Sequence, residues 1–269
     1  MSSSWYNCSN EIKEFVQNAV DEMKAILKEG FVGFYLHGSL SMGGFNPSRS
    51  DIDMIVVAKR ELTSEENEKL ATYLLKASNN PYPIEISILT LEHLQAWKHP
   101  CFYEFHYSED WRERYELAIQ NEDIQYIADL KGEDPDLAAH LTILNSRGVC
   151  IEGPPIKELF PMIPYKDYVA SILCDYDDCL DDIEENSVYC VLNIVRVYWY
   201  LLDGVISSKQ EAGDWGRKEF TGAIGRTIEK AYENYAGMKD RSFEKSELSA
   251  VREYFRRRVK SLINYKEGM

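Results

Sequence analysis

The sequence is poor in the features that mark several large classes of protein. It has no apolar run of the roughly 18 residues needed to span a bilayer, which excludes an integral membrane protein of the helical kind. Its opening MSSSWYNCSN lacks both the basic segment and the apolar stretch of a secretory leader, so a cytoplasmic location is expected. Cysteine is sparse and scattered: the six at 8, 101, 150, 174, 179 and 190 form no CxxC pair, and they read as reduced thiols rather than a zinc site or a disulfide frame. The five histidines (37, 93, 99, 106 and 140) have no metal-ligand spacing. There is no Walker A loop, no GxSxG nucleophile elbow, no internal repeat and no low-complexity tract.

Positive charge is also short. Thirty Lys and Arg stand against 45 Asp and Glu, a formal net charge of −15 with a pI near 4.8. A chain so acidic is repelled by phosphate backbones, which argues against a nucleic-acid partner and in favour of a cationic small molecule. The 269 residues, 45% of them apolar, suffice for one large domain or two modest ones, and a monomer is expected.

Periodicity divides the chain in two. In the first half, Ile12, Phe15, Val16, Val20, Met23 and Ile26 recur at helical spacing, with Gly30 expected just past the helix end. FVGFYL (31–36) reads as a buried strand, 38–50 as a Gly-rich loop, and DIDMIVVAK (51–59) as a second strand. Thr63 and Glu66 form a capping box that opens a helix. In the strand 82–90, Ile84, Ile86 and Ile88 alternate with Glu85 and Ser87. These elements predict a small mixed sheet covered by helices on one side, an α+β domain over residues 1–155. The Pro-rich EGPPIKELFPMIPY then leads into helical patterns near 165–184, 186–203, 216–236 and 243–264, with Val191, Val195, Trp199 and Leu202 as one stripe. Residues 156–269 are therefore expected to form a helical bundle.

One stretch carries the chemistry: HGSLSMGGFNPSRSDIDMIVV, residues 37–57. Asp51 and Asp53, two apart on a strand, project to one face and repel each other. A divalent cation removes that conflict, and hard Mg²⁺ takes carboxylates together with phosphate oxygens. Glu85 supplies a third acid on the polar face of the next strand, Gly38 lets backbone approach a phosphate, and Ser39 offers a hydroxyl and an N–H. The combination fits metal-assisted nucleotidyl transfer.

The Gly-Ser, the spacer, the Asp-x-Asp and the later acid resemble the motif of the polymerase-β-type nucleotidyltransferase superfamily. The same stretch is similar to that of the aminoglycoside 3″/9-O-adenylyltransferases, which modify streptomycin and spectinomycin. PIEISIL, YEFHYSEDW, GPPIKELFPMIP, VLNIVRVYWYLLDGVISSKQEAGDW and AYENYAG extend that likeness along nearly the whole chain. The resemblance implies transfer of AMP from ATP to a drug hydroxyl, conferring resistance. It implies magnesium on Asp51 and Asp53, with Glu85 beside them as the base. Gly38, Ser39 and Ser50 would meet the nucleotide phosphates, and Arg196, Lys209 and Tyr232 would grip the nucleotide from the helical half.

For the cationic drug, the resemblance points to Trp111 and Asp182, with Glu185 as a substitute one residue from a family acid that here is Asn186. A family histidine contact falls on Tyr189. The surrounding CDYDDCLDDIEEN holds seven acids in thirteen residues, and Asp178, Asp181, Asp182 and Glu185 would share one helix face. Two other readings stand beside this one: the same chemistry on another small molecule or on a protein, as in toxin-like enzymes, and a non-catalytic nucleotide-binding regulator. The intact set of three acids speaks against the last.

Overall fold

In the computed structural model residues 3–267 are described, with side chains described to residue 264. They form two compact units, Ser3–Tyr168 and the residues from Val169 onward. The first unit begins with α1 (Asn10–Leu27), β1 (Phe31–Leu36), α2 (Gly38–Met42), β2 (Ile52–Ala58), α3 (Ser64–Ala77) and β3 (Ile84–Thr90). It continues through α4 (Leu91–Gln95), β4 (Cys101–Tyr103), β5 (Phe105–Tyr107), α5 (Arg112–Gln120) and α6 (Ile124–Asp129). Then come β6 (Gly132–Asp134), α7 (Leu137–Arg147), β7 (Val149–Glu152) and α8 (Ile156–Leu159).

Five strands make one sheet in the order β5-β3-β2-β1-β7, while β4 and β6 pair separately. β2 and β3 run parallel, and the other neighbours in the large sheet are antiparallel. Parallel neighbours need a crossover, and α3 provides it, opened by the Thr63–Glu66 capping box. α1 ends at Leu27, and a single 3₁₀ turn, Lys28–Gly30, carries the chain on to β1. Lys28 has positive φ (+49°), and the Lys59 N–H just past β2 donates to the Gly30 carbonyl (2.8 Å).

The expectation of a sheet covered on one side is corrected: both faces are buried. Met54, Val56, Phe34, Ile86 and Ile88 pack with Val16, Val20 and Met23 of α1 and Leu70 and Leu74 of α3. The alternate residues Ile55, Val57, Tyr35 and Leu89 pack with Leu137, Leu141 and Leu144 of α7. The near-continuous apolar run of β2 was the signal for two-sided burial, but the helix that covers the second face lies some eighty residues further along the chain.

The second unit is helical: α9 (Tyr165–Asp181, whose first turn belongs to the first unit), α10 (Ser187–Asp203), α11 (Lys209–Glu219), α12 (Gly222–Tyr235) and α13 (Lys245–Glu267). The single helix expected over 216–236 is two. Phe220 leaves the helical path to sit among Tyr198, Trp215, Tyr254 and Phe255, with ring centroids 5.2 to 5.9 Å away, and Gly222 (φ +67°) restarts the helix. The expected α10 stripe also drifts. Val191 and Val195 are buried, but Tyr198 and Leu201 take the inner positions beyond them, and Leu202 is exposed. No helix among the described residues is long and apolar enough to cross a membrane.

Two-sided burial can be tested at Ile55, which is fully buried on the α7 face. Ile55→Ala should lower unfolding stability by about 2–5 kcal/mol, the usual cost of truncating a core isoleucine. A denaturant midpoint indistinguishable from wild type would mean that the face is open to water.

Candidate active site

The parallel pairing of β2 with β3 sets Asp53 directly opposite Glu85. Neighbouring strands lie about 4.8 Å apart, so this register alone brings two carboxylates together. Asp51 stands just ahead of β2, two residues before Asp53. One oxygen from each of Asp51, Asp53 and Glu85 lies within 4.8 Å of the others, and all three residues are half-buried. Like charges gathered this closely are unfavourable without a compensating cation.

The segment expected to be a loop from residue 38 begins instead with the short helix α2, so the Gly-Ser pair forms a helical first turn. The Ser39 N–H donates to Asp53 Oδ2 (3.2 Å), and Gly38 sits so close that a Cβ would collide with the Asp53 carboxylate. Gly38 also has φ +59°, a backbone state that side chains resist. Both facts require glycine at that position. The Ser39 hydroxyl is buried with no hydrogen-bond partner among the described residues, an arrangement that costs free energy unless a ligand or water satisfies it. Three carboxylates and an orphaned hydroxyl are all oxygen donors, the set a hard divalent cation with attached phosphate prefers, and the residues therefore fit magnesium and a nucleotide. Ser50 is placed differently. It is buried, its Oγ accepts the Asn46 N–H (3.1 Å), and its own N–H donates to the Asn46 carbonyl (2.8 Å), so it closes the turn leading to Asp51.

Two histidines without sequence signals stand behind the acids. His140 of α7 places Nε2 3.7 Å from Glu85 Oε1, and its ring lies 4.8 Å from that of His37. Burial, and then the neighbouring His140, hold His37 well below the ordinary imidazole range, so His37 is neutral. On the same face of β3 as Glu85, Ser87 Oγ meets His106 Nδ1 at 3.0 Å, and burial lowers His106 to about 4. Trp111 is half-buried in an aromatic cluster, 5.4 Å from His106 and 6.4 Å from Tyr103, with the Arg114 guanidinium 4.8 Å above its ring.

The helical unit gathers a second set. Asp175 on α9 accepts from Tyr189 (3.3 Å), from Asn193 Nδ2 (2.8 Å) and from Arg196 Nη2 (3.4 Å). The Lys209 ammonium lies 3.9 Å above the Tyr189 ring. Lys209 belongs to the first turn of α11, opened by a Ser208–Glu211 capping box, rather than to a loop. Tyr232 is half-buried on α12 with the Arg217 guanidinium 4.7 Å over its ring. Asp182 and Glu185 are exposed, but the shared helix face expected for them does not form. α9 ends at Asp181, and 182–186 turn back so that Ser187 can begin α10. Asp175 was one of seven acids in that stretch and had no distinguishing mark, because its partners lie 14 to 21 residues further on.

Comparison with known proteins points to one group of enzymes. The family model described as "Aminoglycoside adenylyltransferase, C-terminal domain" matches residues 158–261. A spectinomycin 9-adenylyltransferase of Campylobacter jejuni is 24% identical over 261 residues, covering 94% of this chain and 98% of that one. An aminoglycoside (3″)(9) adenylyltransferase of Shigella flexneri is 26% identical, covering 86% and 88%. The crystal structure of a spectinomycin adenyltransferase from Enterococcus faecalis, solved with ATP and spectinomycin, superposes with a TM-score of 0.78 at 23% identity. It matches 92% of this chain and 99% of that one, and shows the shared fold. The family model thus matches the helical half, and over nearly its whole length the chain is similar to aminoglycoside adenylyltransferases.

Proposed function

We propose that this protein transfers AMP from ATP to a hydroxyl of an aminoglycoside or aminocyclitol antibiotic, with spectinomycin and streptomycin as the first acceptors to test. The observation that carries the reading is the convergence of Asp51, Asp53 and Glu85 beside the Gly38–Ser39 turn. The names of the full-length relatives supply the acceptor class.

Asp51 and Asp53, with Glu85 beside them, would hold magnesium, which when bound neutralises triphosphate charge and favours loss of pyrophosphate. The chain's own residues do the rest. Gly38 and Ser39 receive the phosphates, Ser39 through its unpartnered hydroxyl; Ser50 fixes the loop that delivers Asp51. Arg196, Lys209 and Tyr232 bind the nucleotide from the helical unit. Glu85 accepts the proton of the acceptor hydroxyl as its oxygen bonds to the α-phosphorus and the bond to the bridging oxygen of pyrophosphate breaks. Trp111, Asp182 and Glu185 receive the cationic acceptor, the aromatic ring by stacking and the exposed acids by charge.

Mass spectrometry of products from ATP, Mg²⁺ and a panel of aminoglycosides tests the reading directly, with Asp51→Asn and Asp53→Asn as controls. The wild type should add one AMP to an acceptor. Either variant should be inactive yet melt at the same temperature or slightly higher, because repulsion among the acids is relieved. A variant turning over at near wild-type rate in saturating Mg²⁺ would remove the metal assignment.

Gly38→Ala places a methyl group against the Asp53 carboxylate and forces a residue with a side chain into φ +59°. It should lose AMP transfer and about 1 kcal/mol or more of stability. An active, fully stable Gly38→Ala protein would contradict the close approach.

Glu85→Gln is nearly isosteric but cannot take a proton. It should bind ATP–Mg²⁺ almost normally while losing on the order of 100-fold or more in kcat, the scale of a positioned base. The rate of this variant against Mg²⁺ concentration separates two roles. A low plateau independent of metal fits the base, whereas full rescue by excess metal would show a ligand only.

A further inference from the structure

Tyr189 stands where the family resemblance expects a drug contact, but its surroundings commit it elsewhere. Its hydroxyl turns inward and donates to both oxygens of Asp175, at 3.3 and 3.4 Å. Burial, and then the Asp175 carboxylate, push the phenol well above its usual range, so it remains an O–H donor. With the hydroxyl so fixed, one ring face carries the Lys209 ammonium at 3.9 Å, well inside cation–π range. The same Asp175 holds the Arg196 guanidinium at 3.4 Å and is itself fixed by Asn193 Nδ2 at 2.8 Å. Asn193 is fully buried and also donates to Cys179 Sγ (3.3 Å), so the carboxylate is anchored from the interior of the helical unit.

One acid thus orients two cations: Arg196 directly, and Lys209 through the ring of Tyr189. Packing alone would be better served by apolar residues at these positions, since a half-buried ion pair pays for desolvation and returns little stability. An acid that gathers a guanidinium and an ammonium in one place makes a seat for a multiply charged anion.

We infer that Asp175 and Tyr189 are positioning residues that set Arg196 and Lys209 for the phosphates of the nucleotide, and that Tyr189 serves the nucleotide and not the acceptor. The inference rests on the nucleotide role proposed above for Arg196 and Lys209.

The sign of the Asp175 effect separates orientation from plain charge. A carboxylate repels phosphate, so if only its field mattered, Asp175→Asn would bind ATP more tightly. Orientation predicts weaker binding.

The test is calorimetric titration of ATP–Mg²⁺ into the full chain, which needs no acceptor, followed by titration of spectinomycin into the complex with α,β-methylene-ATP, from which no AMP can be transferred. Tyr189→Leu should weaken ATP by about 3- to 30-fold, the range of a cation–π contact. Tyr189→Phe keeps the ring and should recover most of that loss. Asp175→Asn should weaken ATP by about 5-fold, the scale of a partly exposed ion pair. Neither change should move spectinomycin affinity by more than about 2-fold, which is close to the limit of additivity for uncoupled sites. In a Lys209→Ala background Tyr189→Leu should add nothing, and in an Arg196→Ala background Asp175→Asn should lose most of its effect.

Tighter ATP binding in Asp175→Asn, or a Tyr189→Leu loss confined to spectinomycin, would overturn the inference. So would full additivity in both backgrounds, which marks a general structural role. If Lys209→Ala and Arg196→Ala bind ATP normally, the nucleotide role of those cations falls and takes this inference with it. If they bind weakly while Tyr189→Leu and Asp175→Asn do not, the positioning role alone fails.

Discussion

The parallel pairing of β2 with β3 imposes the constraint to which the rest of the first unit answers. Its register puts Asp53 opposite Glu85, and Asp51 follows from the strand's alternation. The carboxylates could be moved apart only by slipping one strand, and a slip of one residue would exchange the two faces of β2. Met54 and Val56 would leave the α1–α3 core as Ile55 and Val57 left the α7 core. Apolar burial on two faces therefore locks in a repulsion that the acids alone would not tolerate. Each buried isoleucine or valine contributes roughly 1.5–3 kcal/mol, and several such residues on each strand outweigh the repulsion of half-hydrated carboxylates. The free energy of the core holds the site in a geometry whose repulsion a bound cation would relieve.

The α2 turn is a consequence of the same constraint. Asp53 needs a donor close by, and the Ser39 N–H provides one (3.2 Å). The approach required for that bond leaves no room for a Cβ at residue 38. The Gly-Ser pair was expected to meet phosphate; in the structure Gly38 gives room to the Asp53 carboxylate. The unpartnered Ser39 hydroxyl remains for a ligand.

What could be read from the chain follows the range of the physical signal. β1, β2, β3 and α3 were legible because alternation and a capping box are local, and the acids because Asp51 and Asp53 stand two residues apart where β2 begins. α7 was not, since it is defined by its docking on the far face of the sheet, and neither was His140, whose meaning depends on that docking. The break at Phe220–Gly222 was missed because helical periodicity on either side hid the pull of an aromatic core assembled from α10, α11 and α13. Asp175 looked like its acidic neighbours. Only the partners brought to it by α10 set it apart.

Those partners bear on how so acidic a protein would bind ATP, itself an anion. A net charge of −15 acts over the whole surface, but at physiological salt fields fade over about 8 Å, so the groups in contact decide affinity more than the total. Under the proposed function the two needs are met by segregation within the helical unit. Asp175 draws Arg196 and Lys209 into one cluster, while Asp177, Asp178, Asp181 and Asp182 remain exposed. An acid spent on holding two cations yields a local positive site at little cost to a negative surface that attracts a cationic drug. On that proposal the acidic surface suits a cationic acceptor, and Asp175, which faces Arg196, suits the nucleotide.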